Sequence, residues 1–287
     1  MCDKDHFAES VKEYEARGLI TRRQFGVLVA AGVSMVLPAV ANAQATGERD
    51  VEIKTPDGTA DGYFVYPAAG SGAAVLIWPD IFGLRPAMRQ MAKRLASSPG
   101  GYSVLVVNPF YRVGKPTATG ASPINEMLPF RKGMTQQTDL TDAKAFIAWL
   151  DQQPQVNKNR KIGTQGYCMG GPMTFHTASA VPDRVGAVAS FHGGNLVNAM
   201  DPTNSPHVLA AASKASFLIA IAENDDKGAP TVKDVLKETF AKANRPAEIE
   251  VYPAAHGWCP PDTTVYNEPA AEKAWSRLLA LYKTALA

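Results

Sequence analysis

The stretch that decides the fold runs from residue 160 to residue 171 and reads RKIGTQGYCMGG. Its first half is a short apolar run, which predicts a buried strand over 161–165. The second half has the spacing G-x-C-x-G, with Cys168 between Gly166 and Gly170. Glycines at these positions let the chain turn sharply from a strand into a helix. The cysteine side chain is therefore expected to stand at the top of a sheet, over the first turn of the next helix.

A cysteine in such a turn is well placed to act as a nucleophile. The N–H groups and the dipole of a helix N-terminus stabilise negative charge, and the thiolate is the reactive form of cysteine. The turn by itself leaves a second interpretation open, because most free cysteines are buried and inert. Cys168 is therefore a candidate nucleophile whose assignment depends on the rest of the chain.

Two later segments supply the partners that a cysteine nucleophile needs. The run FLIAIA over 217–222 predicts a buried strand that ends shortly before Asp225 and Asp226, and a further strand over 249–252 ends before His256. Because the carboxyl ends of parallel strands share one edge of a sheet, we expect these side chains to gather near Cys168. The imidazole would take the thiol proton, and a carboxylate would fix its tautomer and stabilise the imidazolium.

Strand and helix patterns alternate along the chain. Strands are predicted over 51–54, 62–66, 74–78, 103–108, 161–165, 187–191, 217–222 and 249–252, and helices over 86–96, 140–150, 231–242 and 270–286. This alternation predicts an α/β fold with a mostly parallel central sheet of about eight strands and helices on both faces. The first two strands flank Pro56-Asp57-Gly58 and are expected to form an antiparallel edge hairpin, whereas 108–135 is expected to be a long irregular lid or binding loop.

These residues carry a resemblance to a known family. The segments GYCMGG (166–171), PDIFGL (79–84) and HGW (256–258) are similar to motifs of the dienelactone hydrolases, a cysteine branch of the α/β-hydrolases, and the resemblance spans roughly 51–286. It implies the α/β-hydrolase fold and hydrolysis of an ester or lactone through a Cys-His-Asp triad and a thioester acyl-enzyme, without a metal or organic cofactor. It also implies an oxyanion hole made by the backbone N–H groups of Met169 and Ile81.

The chain departs from the family pattern at two positions. The family typically has a glutamate before the I-F-G segment, which helps to convert the resting thiol to a thiolate. The shorter Asp80 stands there, and we expect it either to serve the pocket or to cap the local turn. Dienelactone hydrolase also has an arginine after the histidine that holds the substrate carboxylate, whereas His256 is followed here by GWCPP (257–261). The second departure argues against dienelactone itself as the substrate and leaves the hydrolytic chemistry intact.

Two aspartates compete for the role of the triad acid. Counting from the strand end, by the family's usual G-x-x-D, selects Asp225, and counting back from Pro230 selects Asp226. We predict Asp225, because strand ends are better fixed than loops that tolerate insertions. The other aspartate is then expected to be a solvent-facing loop carboxylate.

Several further side chains are candidates for the substrate pocket. The aromatic candidates flank the predicted chemistry in sequence and are Phe82, Tyr111 and Trp258. The cationic candidates, which would hold an anionic substrate, are Arg85, Arg112 and Lys115. His192 follows the predicted strand over 187–191, whose end lies at the same sheet edge. For the aromatic and cationic residues, packing or solvation is the alternative interpretation, and for His192 the alternative is a hydrogen-bonded structural histidine.

The first 43 residues are predicted to be a signal peptide of the twin-arginine type. The motif TRRQF (21–25) precedes a weakly apolar run over 26–37, and Ala41-Asn42-Ala43 is a cleavage motif. Because the run is shorter than the ~20 residues that cross a bilayer, cleavage after Ala43 is favoured over a membrane anchor. We therefore expect a hydrolase domain over 44–287 that is periplasmic or secreted, without stable membrane insertion.

Composition limits the remaining classes of function. The chain has 287 residues and a net charge of +2, and no C-x-x-C or other metal spacing occurs in it. Near-neutral charge without a basic stripe argues against nucleic acid, so the predicted partner is a small ester or lactone, and the oligomeric state stays open. Two alternatives remain: a broad-range carboxylesterase or thioesterase that uses the same residues, and an exported binding protein that has lost turnover. The order of the triad residues argues against the binding protein.

Overall fold

A computed structural model describes residues 37–287. The twin-arginine motif and nearly all of the apolar run lie outside the described residues, so the signal peptide stays a prediction. Within the part of the chain that is described, no helix is long and apolar enough to cross a membrane. The strands are β1 Thr46–Thr55, β2 Gly58–Pro67, β3 Ala73–Trp78, β4 Tyr102–Val107, β5 Ile162–Tyr167, β6 Val185–Phe191, β7 Ser216–Ala222 and β8 Ala247–Tyr252.

These strands form one sheet in the order β1-β2-β4-β3-β5-β6-β7-β8. β2 runs antiparallel to both β1 and β4, and the other neighbouring strands are parallel. The predicted mostly parallel sheet and the edge hairpin are confirmed. β1 begins at Thr46, five residues before the predicted start at 51. The charged residues of its first half alternate towards solvent at the edge of the sheet, so they form no apolar run by which the sequence could predict a strand.

The helices are α1 Pro86–Ser97, α2 Ile124–Met127, α3 Gln136–Leu150, α4 Gly170–Ala180, α5 Pro206–Ala211, α6 Glu223–Gly228, α7 Val232–Lys242 and α8 Glu268–Ala285. The four long predicted helices are confirmed. α3 starts at Gln136 rather than at 140, because Thr135 and Thr138 form a reciprocal capping box that the apolar pattern does not show. The stretch predicted to be irregular over 108–135 contains α2 and a 3₁₀ turn, Leu128–Arg131, both too short to display a helical period.

Apolar clusters cover both faces of the sheet. Along β3, Leu76 and Trp78 join the cluster under α3, α4 and α7, and the alternate residues Val75 and Ile77 join the cluster under α1 and α8. A strand buried on both sides has to be apolar at every position, as β3 is. The sheet is therefore a packed support from which the loops at its carboxyl edge project.

Candidate active site

The turn between β5 and α4 holds Cys168 in a left-handed backbone conformation, with φ at +51°. Neither flanking glycine has room for a side chain. A Cβ at Gly166 would overlap the carbonyl oxygen of Gly170, and a Cβ at Gly170 would overlap the carbonyl oxygen of Trp78. The N–H of Cys168 donates to the carbonyl of Phe191 on β6 over 3.1 Å. The cysteine is 6% exposed and directly precedes Met169, the N-cap of α4. The positive end of the α4 dipole is thus next to Cys168 in the chain.

The loop after β7 contains the acid that contacts His256. Oδ2 of Asp225 lies 2.7 Å from Nδ1 of His256. Both carboxylate oxygens of Asp226 are instead 2.8 Å from Nζ of Lys233 on α7. The segment expected to be an open loop is the short helix α6, whose first turn carries both aspartates. Its first turn directs neighbouring residues to different sides, which separates the two carboxylates.

Asn224 is a site residue that sequence reasoning missed. Its side-chain oxygen accepts the backbone N–H of His256 over 2.8 Å, and the residue is buried. Together with the Asp225 contact, this bond fixes both the backbone and the ring of the histidine from a single short helix. An asparagine between acidic residues gives no sequence signal for such a role, because the bond joins segments that are 32 residues apart.

Asp80 is buried at the end of β3, where Arg85 holds its carboxylate. The two guanidinium nitrogens Nη1 and Nη2 lie 2.6 and 2.9 Å from its oxygens, and the N–H of Phe82 donates to Oδ1 over 2.9 Å. Asp80 therefore caps the local turn through the N–H of Phe82, as one of the two expectations has it, and it also forms an ion pair with Arg85. Burial raises the pKa of Asp80, and the adjacent Arg85 opposes that rise.

Arg85 also binds Asp262, with distances of 2.7 Å from Nε and 2.9 Å from Nη2. We call Asp80, Arg85 and Asp262 the Arg85 clamp. Asp262 accepts the N–H of Gly120 as well, over 2.8 Å. The clamp therefore joins the loop after β3, the long loop over 108–135 and the loop that carries His256. Asp262 was not a candidate from the sequence, and Arg85 was expected to hold a substrate anion rather than two carboxylates of the chain.

The two predicted oxyanion donors lie in adjacent loops. Met169 follows Cys168 in the turn, and Ile81 follows Asp80 and is 3% exposed. Among the described residues, neither N–H donates a hydrogen bond. Both side chains pack in a small apolar cluster with Phe82 and Phe110. The arrangement leaves two backbone donors near the cysteine available for a ligand.

His192 lies directly after β6 and is fully buried. Its ring centroid is 5.0 Å from that of His256 and 6.0 Å from that of Trp258. Neither ring nitrogen has a hydrogen-bond partner among the described residues. Burial lowers the pKa of His192 well below its usual range, and the neighbouring His256 lowers it further, so the ring is neutral. The structure thus brings His192 into the candidate site.

The remaining pocket candidates are placed differently. Trp258 is fully buried and packs on Tyr252 with ring centroids 4.6 Å apart. The hydroxyl of Tyr111 contacts Thr55 and Asp142, and Arg112 binds Asp57 and Asp142, each within 3.0 Å. These contacts tie the edge hairpin to α3. The pocket role of Tyr111 and Arg112 stays a prediction, and their contacts favour a structural role.

A cavity of about 380 Å³ has Phe82 in its wall, and none of Cys168, Asp225 and His256 lines it. Its lining comes from the loop after β3, the long loop and the loop after β8, and comprises Phe82, Gly120, Ala121, Ser122, Pro123, Ile124, Asn125 and Thr264. Phe82 and Ile124 also pack in the apolar cluster that holds Ile81 and Met169. The size is that of a pocket for a small molecule. The described residues contain no group of three or more His, Cys, Asp and Glu side chains placed to hold a metal ion.

Known proteins share this sequence pattern and this fold. The sequence model of the dienelactone hydrolase family matches residues 60–286. A candidate carboxymethylenebutenolidase of Synechocystis is 27% identical over 232 residues, 78% of this chain and 92% of its own length. The carboxymethylenebutenolidase of Rhodococcus opacus is 27% identical over 217 residues, 75% of this chain and 82% of its own.

A crystal structure of a candidate dienelactone hydrolase from Klebsiella pneumoniae superposes with a TM-score of 0.72 and 22% identity, covering 84% of this chain and all of that one. At this level of identity the superposition establishes the α/β-hydrolase fold. The sequence match extends over most of the chain, from β2 to the end of α8. The chain therefore belongs to the dienelactone hydrolase family and is a hydrolase of the dienelactone type.

Proposed function

We propose that the protein cleaves the acyl bond of an ester or lactone with Cys168 as the nucleophile, His256 as the proton acceptor and Asp225 as the residue that orients His256. The observation that carries the proposal is the 2.7 Å contact between Asp225 and Nδ1 of His256. When Nδ1 of the neutral ring donates to the carboxylate, Nε2 is left as the acceptor for a proton. The turn at Cys168 supports the rest of the assignment, because it places a thiol at the N-terminus of α4.

The first half of the reaction would form a thioester. His256 takes the proton of Sγ, and the sulfur attacks the carbonyl carbon of the substrate. The N–H groups of Met169 and Ile81 donate to the oxyanion that develops, and two such donors contribute on the order of 3 kcal/mol each. The bond from the carbonyl carbon to the alkoxy oxygen then breaks, and His256 returns its proton to that oxygen. When the substrate is a lactone, cleavage of this bond opens the ring, and the alcohol remains part of the acyl group bound to the enzyme.

The second half would release the acid. Water gives a proton to His256 and attacks the thioester carbonyl, and the carbon–sulfur bond breaks. The thiolate leaves and takes a proton back from the imidazolium of His256, so the resting thiol and neutral imidazole are regained without an external reagent. Asp225 stabilises the imidazolium in both halves, which is why its loss should slow the whole cycle.

The test uses the two neighbouring aspartates as a matched pair. Hydrolysis of p-nitrophenyl acetate is measured for the wild type, Cys168→Ala, Asp225→Asn and Asp226→Asn, and trapped acyl-enzyme is sought by mass spectrometry of the denatured protein. Cys168→Ala should abolish turnover, and Asp225→Asn should lower kcat by on the order of 10³ to 10⁴. Asp226→Asn should cost far less, since its carboxylate faces Lys233. Wild-type activity in Cys168→Ala, or a larger loss in Asp226→Asn than in Asp225→Asn, would overturn the assignment.

A further inference from the structure

His192 lies between the proposed nucleophile and the proposed base in the order of the strands. It directly follows β6, which pairs with β5 on one side and with β7 on the other. The carbonyl oxygen of Phe191 accepts the N–H of Cys168 over 3.1 Å. The N–H of His192 donates to the carbonyl oxygen of Ala220 on β7 over 2.8 Å. The backbone at His192 is therefore fixed both to the cysteine turn and to the strand that leads to Asp225.

The backbone of His192 has a left-handed conformation, with φ at +40°. Five non-glycine residues of the described chain have positive φ, and three of them are asparagines, whose short polar side chain tolerates this conformation. The other two are Cys168 and His192. An uncommon backbone conformation persists only where the surrounding structure fixes it, and such residues concentrate at functional sites. The conformation of His192 therefore points to a role in the same site as Cys168.

The ring of His192 is fully buried among three aromatic side chains. Its centroid lies 5.0 Å from that of His256, 6.0 Å from that of Trp258 and 6.2 Å from that of Tyr167. Neither ring nitrogen has a hydrogen-bond partner within residues 37–287. A buried polar group without a partner destabilises a fold, and an apolar side chain of similar shape would avoid that cost. Packing alone therefore does not account for a histidine at this position.

The nearest of the three rings, that of His256, becomes positively charged in the proposed reaction. A neutral imidazole has one acceptor nitrogen and one N–H donor and is therefore a strong dipole, whereas a phenyl ring has neither group. Among the described residues, no hydrogen bond fixes the tautomer of His192, so its acceptor nitrogen can be the one that faces the cation. In a buried site at this separation, a dipole oriented in this way stabilises the imidazolium of His256.

His192 can stabilise a neighbouring cation only while it is itself neutral. Burial lowers the pKa of His192 well below its usual range, and the neighbouring His256 lowers it further. Within the described chain, the titratable side chains whose rings contact His192 are His256, from the loop after β8, and Tyr167, from β5. Burial raises the pKa of Tyr167 well above its usual range, so the tyrosine also stays neutral. His256 is therefore the member of this cluster that can carry a charge.

We propose that His192 is a positioning residue that acts through His256, whose imidazolium it stabilises, and that it thereby favours the thiolate of Cys168. This inference rests on the proposed function, because it assigns a role within the same mechanism. A more stable imidazolium favours transfer of the proton from Sγ, so His192 raises the fraction of reactive thiolate at neutral pH. A ring that only filled space would leave this fraction unchanged.

The experiment measures the rate constant for alkylation of Cys168 by iodoacetamide between about pH 5 and about pH 10 in the full-length protein. Three variants are compared with the wild type. His192→Phe keeps an aromatic ring, His192→Leu is closer to histidine in volume, and His192→Asn keeps a polar group and tolerates positive φ. Peptide mapping restricts the measured rate to Cys168, and kcat/KM for p-nitrophenyl acetate is determined on the same samples.

In the two apolar variants, we expect alkylation and kcat/KM to be slower than in the wild type by about tenfold at pH 7. A tenfold change corresponds to about one unit in the apparent pKa of the pair formed by Cys168 and His256. The alkylation rates should converge near pH 10, where the thiol ionises without help from His256. His192→Asn should retain most of the wild-type rate at pH 7.

Tyr252→Phe is the matched control. The hydroxyl of Tyr252 is also buried without a hydrogen-bond partner in the described chain, but its ring packs on that of Trp258. This variant should keep the wild-type pH profile of alkylation.

Three results would overturn this inference alone. They are wild-type alkylation at pH 7 in folded His192→Phe and His192→Leu, a loss of the same factor at pH 7 and pH 10, and an equal loss in His192→Asn. The last two would show that the shape of the side chain matters and its polarity does not. Hydrolysis of p-nitrophenyl acetate by Cys168→Ala at the wild-type rate would instead overturn the proposed function, and this inference with it.

Discussion

Replacement of Arg85 by methionine tests the energetics of the Arg85 clamp. The substitution keeps an unbranched apolar stem and removes the cation from between Asp80 and Asp262, whose side chains are 5% and 18% exposed. Breaking a buried ion pair by removing one partner costs about 3 to 5 kcal/mol, because the remaining charge is left without compensation. Typical unfolding free energies are about 5 to 15 kcal/mol, so Arg85→Met should lower the urea midpoint of unfolding substantially. Tryptophan fluorescence provides the measurement, since the chain has four tryptophans.

The penalty should depend on pH in a defined direction. In Arg85→Met, burial still raises the pKa of Asp80, and the opposing effect of the guanidinium is gone. The cost of the buried charge is therefore full above the folded-state pKa of Asp80 and is relieved as the pH falls through that value. The difference in unfolding free energy between wild type and variant should narrow from about pH 8 to about pH 5.

Arg94→Met is the matched control. Arg94 also makes a bidentate pair, with both distances to Glu272 at 2.6 Å, but the glutamate side chain is 32% exposed and can be hydrated when its partner is lost. We expect this variant to cost about 1 to 2 kcal/mol, including the contact of Arg94 with Trp275, without a marked pH dependence. Equal losses in the two variants at pH 8, or a loss in Arg85→Met that does not change with pH, would refute the reasoning.

Three further predictions concern other residues. Burial raises the pKa of Cys259 well above its usual range, so iodoacetamide should label Cys168 first and inactivate the enzyme; peptide mapping that found Cys259 labelled first would contradict this. Because the pKa of buried His192 is held well below 6.5, the unfolded chain takes up a proton that the native chain does not, and stability should fall below pH 6.5 by up to about 1.4 kcal/mol per pH unit. In His192→Phe, the free energy of unfolding measured with urea should fall less steeply with decreasing pH than in the wild type. An equal slope in the two proteins would disprove this prediction. We also propose export through the twin-arginine motif: replacing Arg22 and Arg23 by lysine should shift the protein from the periplasm to the cytoplasm on fractionation, and an unchanged distribution would argue against it.

The parts of the site that the sequence predicts are those set by local backbone requirements. The turn at Cys168 needs Gly166 and Gly170 for contact reasons, and these glycines are visible as a motif. The strand ends before Asp225 and His256 are visible as apolar runs, and the choice of Asp225 over Asp226 as the residue facing His256 agrees with the observed contacts. Each signal lies within a few residues of the feature that it predicts.

The parts that could not be predicted depend on contacts between distant segments. Arg85 has the sequence context of a loop cation, and only folding reveals that it lies between Asp80 and Asp262. Asn224 is recognisable as an anchor only from its bond to the backbone of His256. The short helices α2, α5 and α6 have fewer residues than two helical turns, so their apolar residues show no periodicity.

The Arg85 clamp also bears on how the active enzyme is made. Its arginine and Asp262 are 177 residues apart in the chain, and His256 lies beyond the last strand of the sheet. Closing so long a loop carries an entropic cost, and the contact forms only after the last strand is in place, so refolding chains should recover circular dichroism before they recover hydrolysis. A fragment that ends before residue 247 contains seven strands and Cys168, the proposed nucleophile, yet lacks His256, the proposed base, and Asp262 of the clamp. Under the proposed mechanism, hydrolysis therefore requires that the segment after β7 has folded onto the sheet. A nascent or truncated chain that lacks this segment is expected to be inactive.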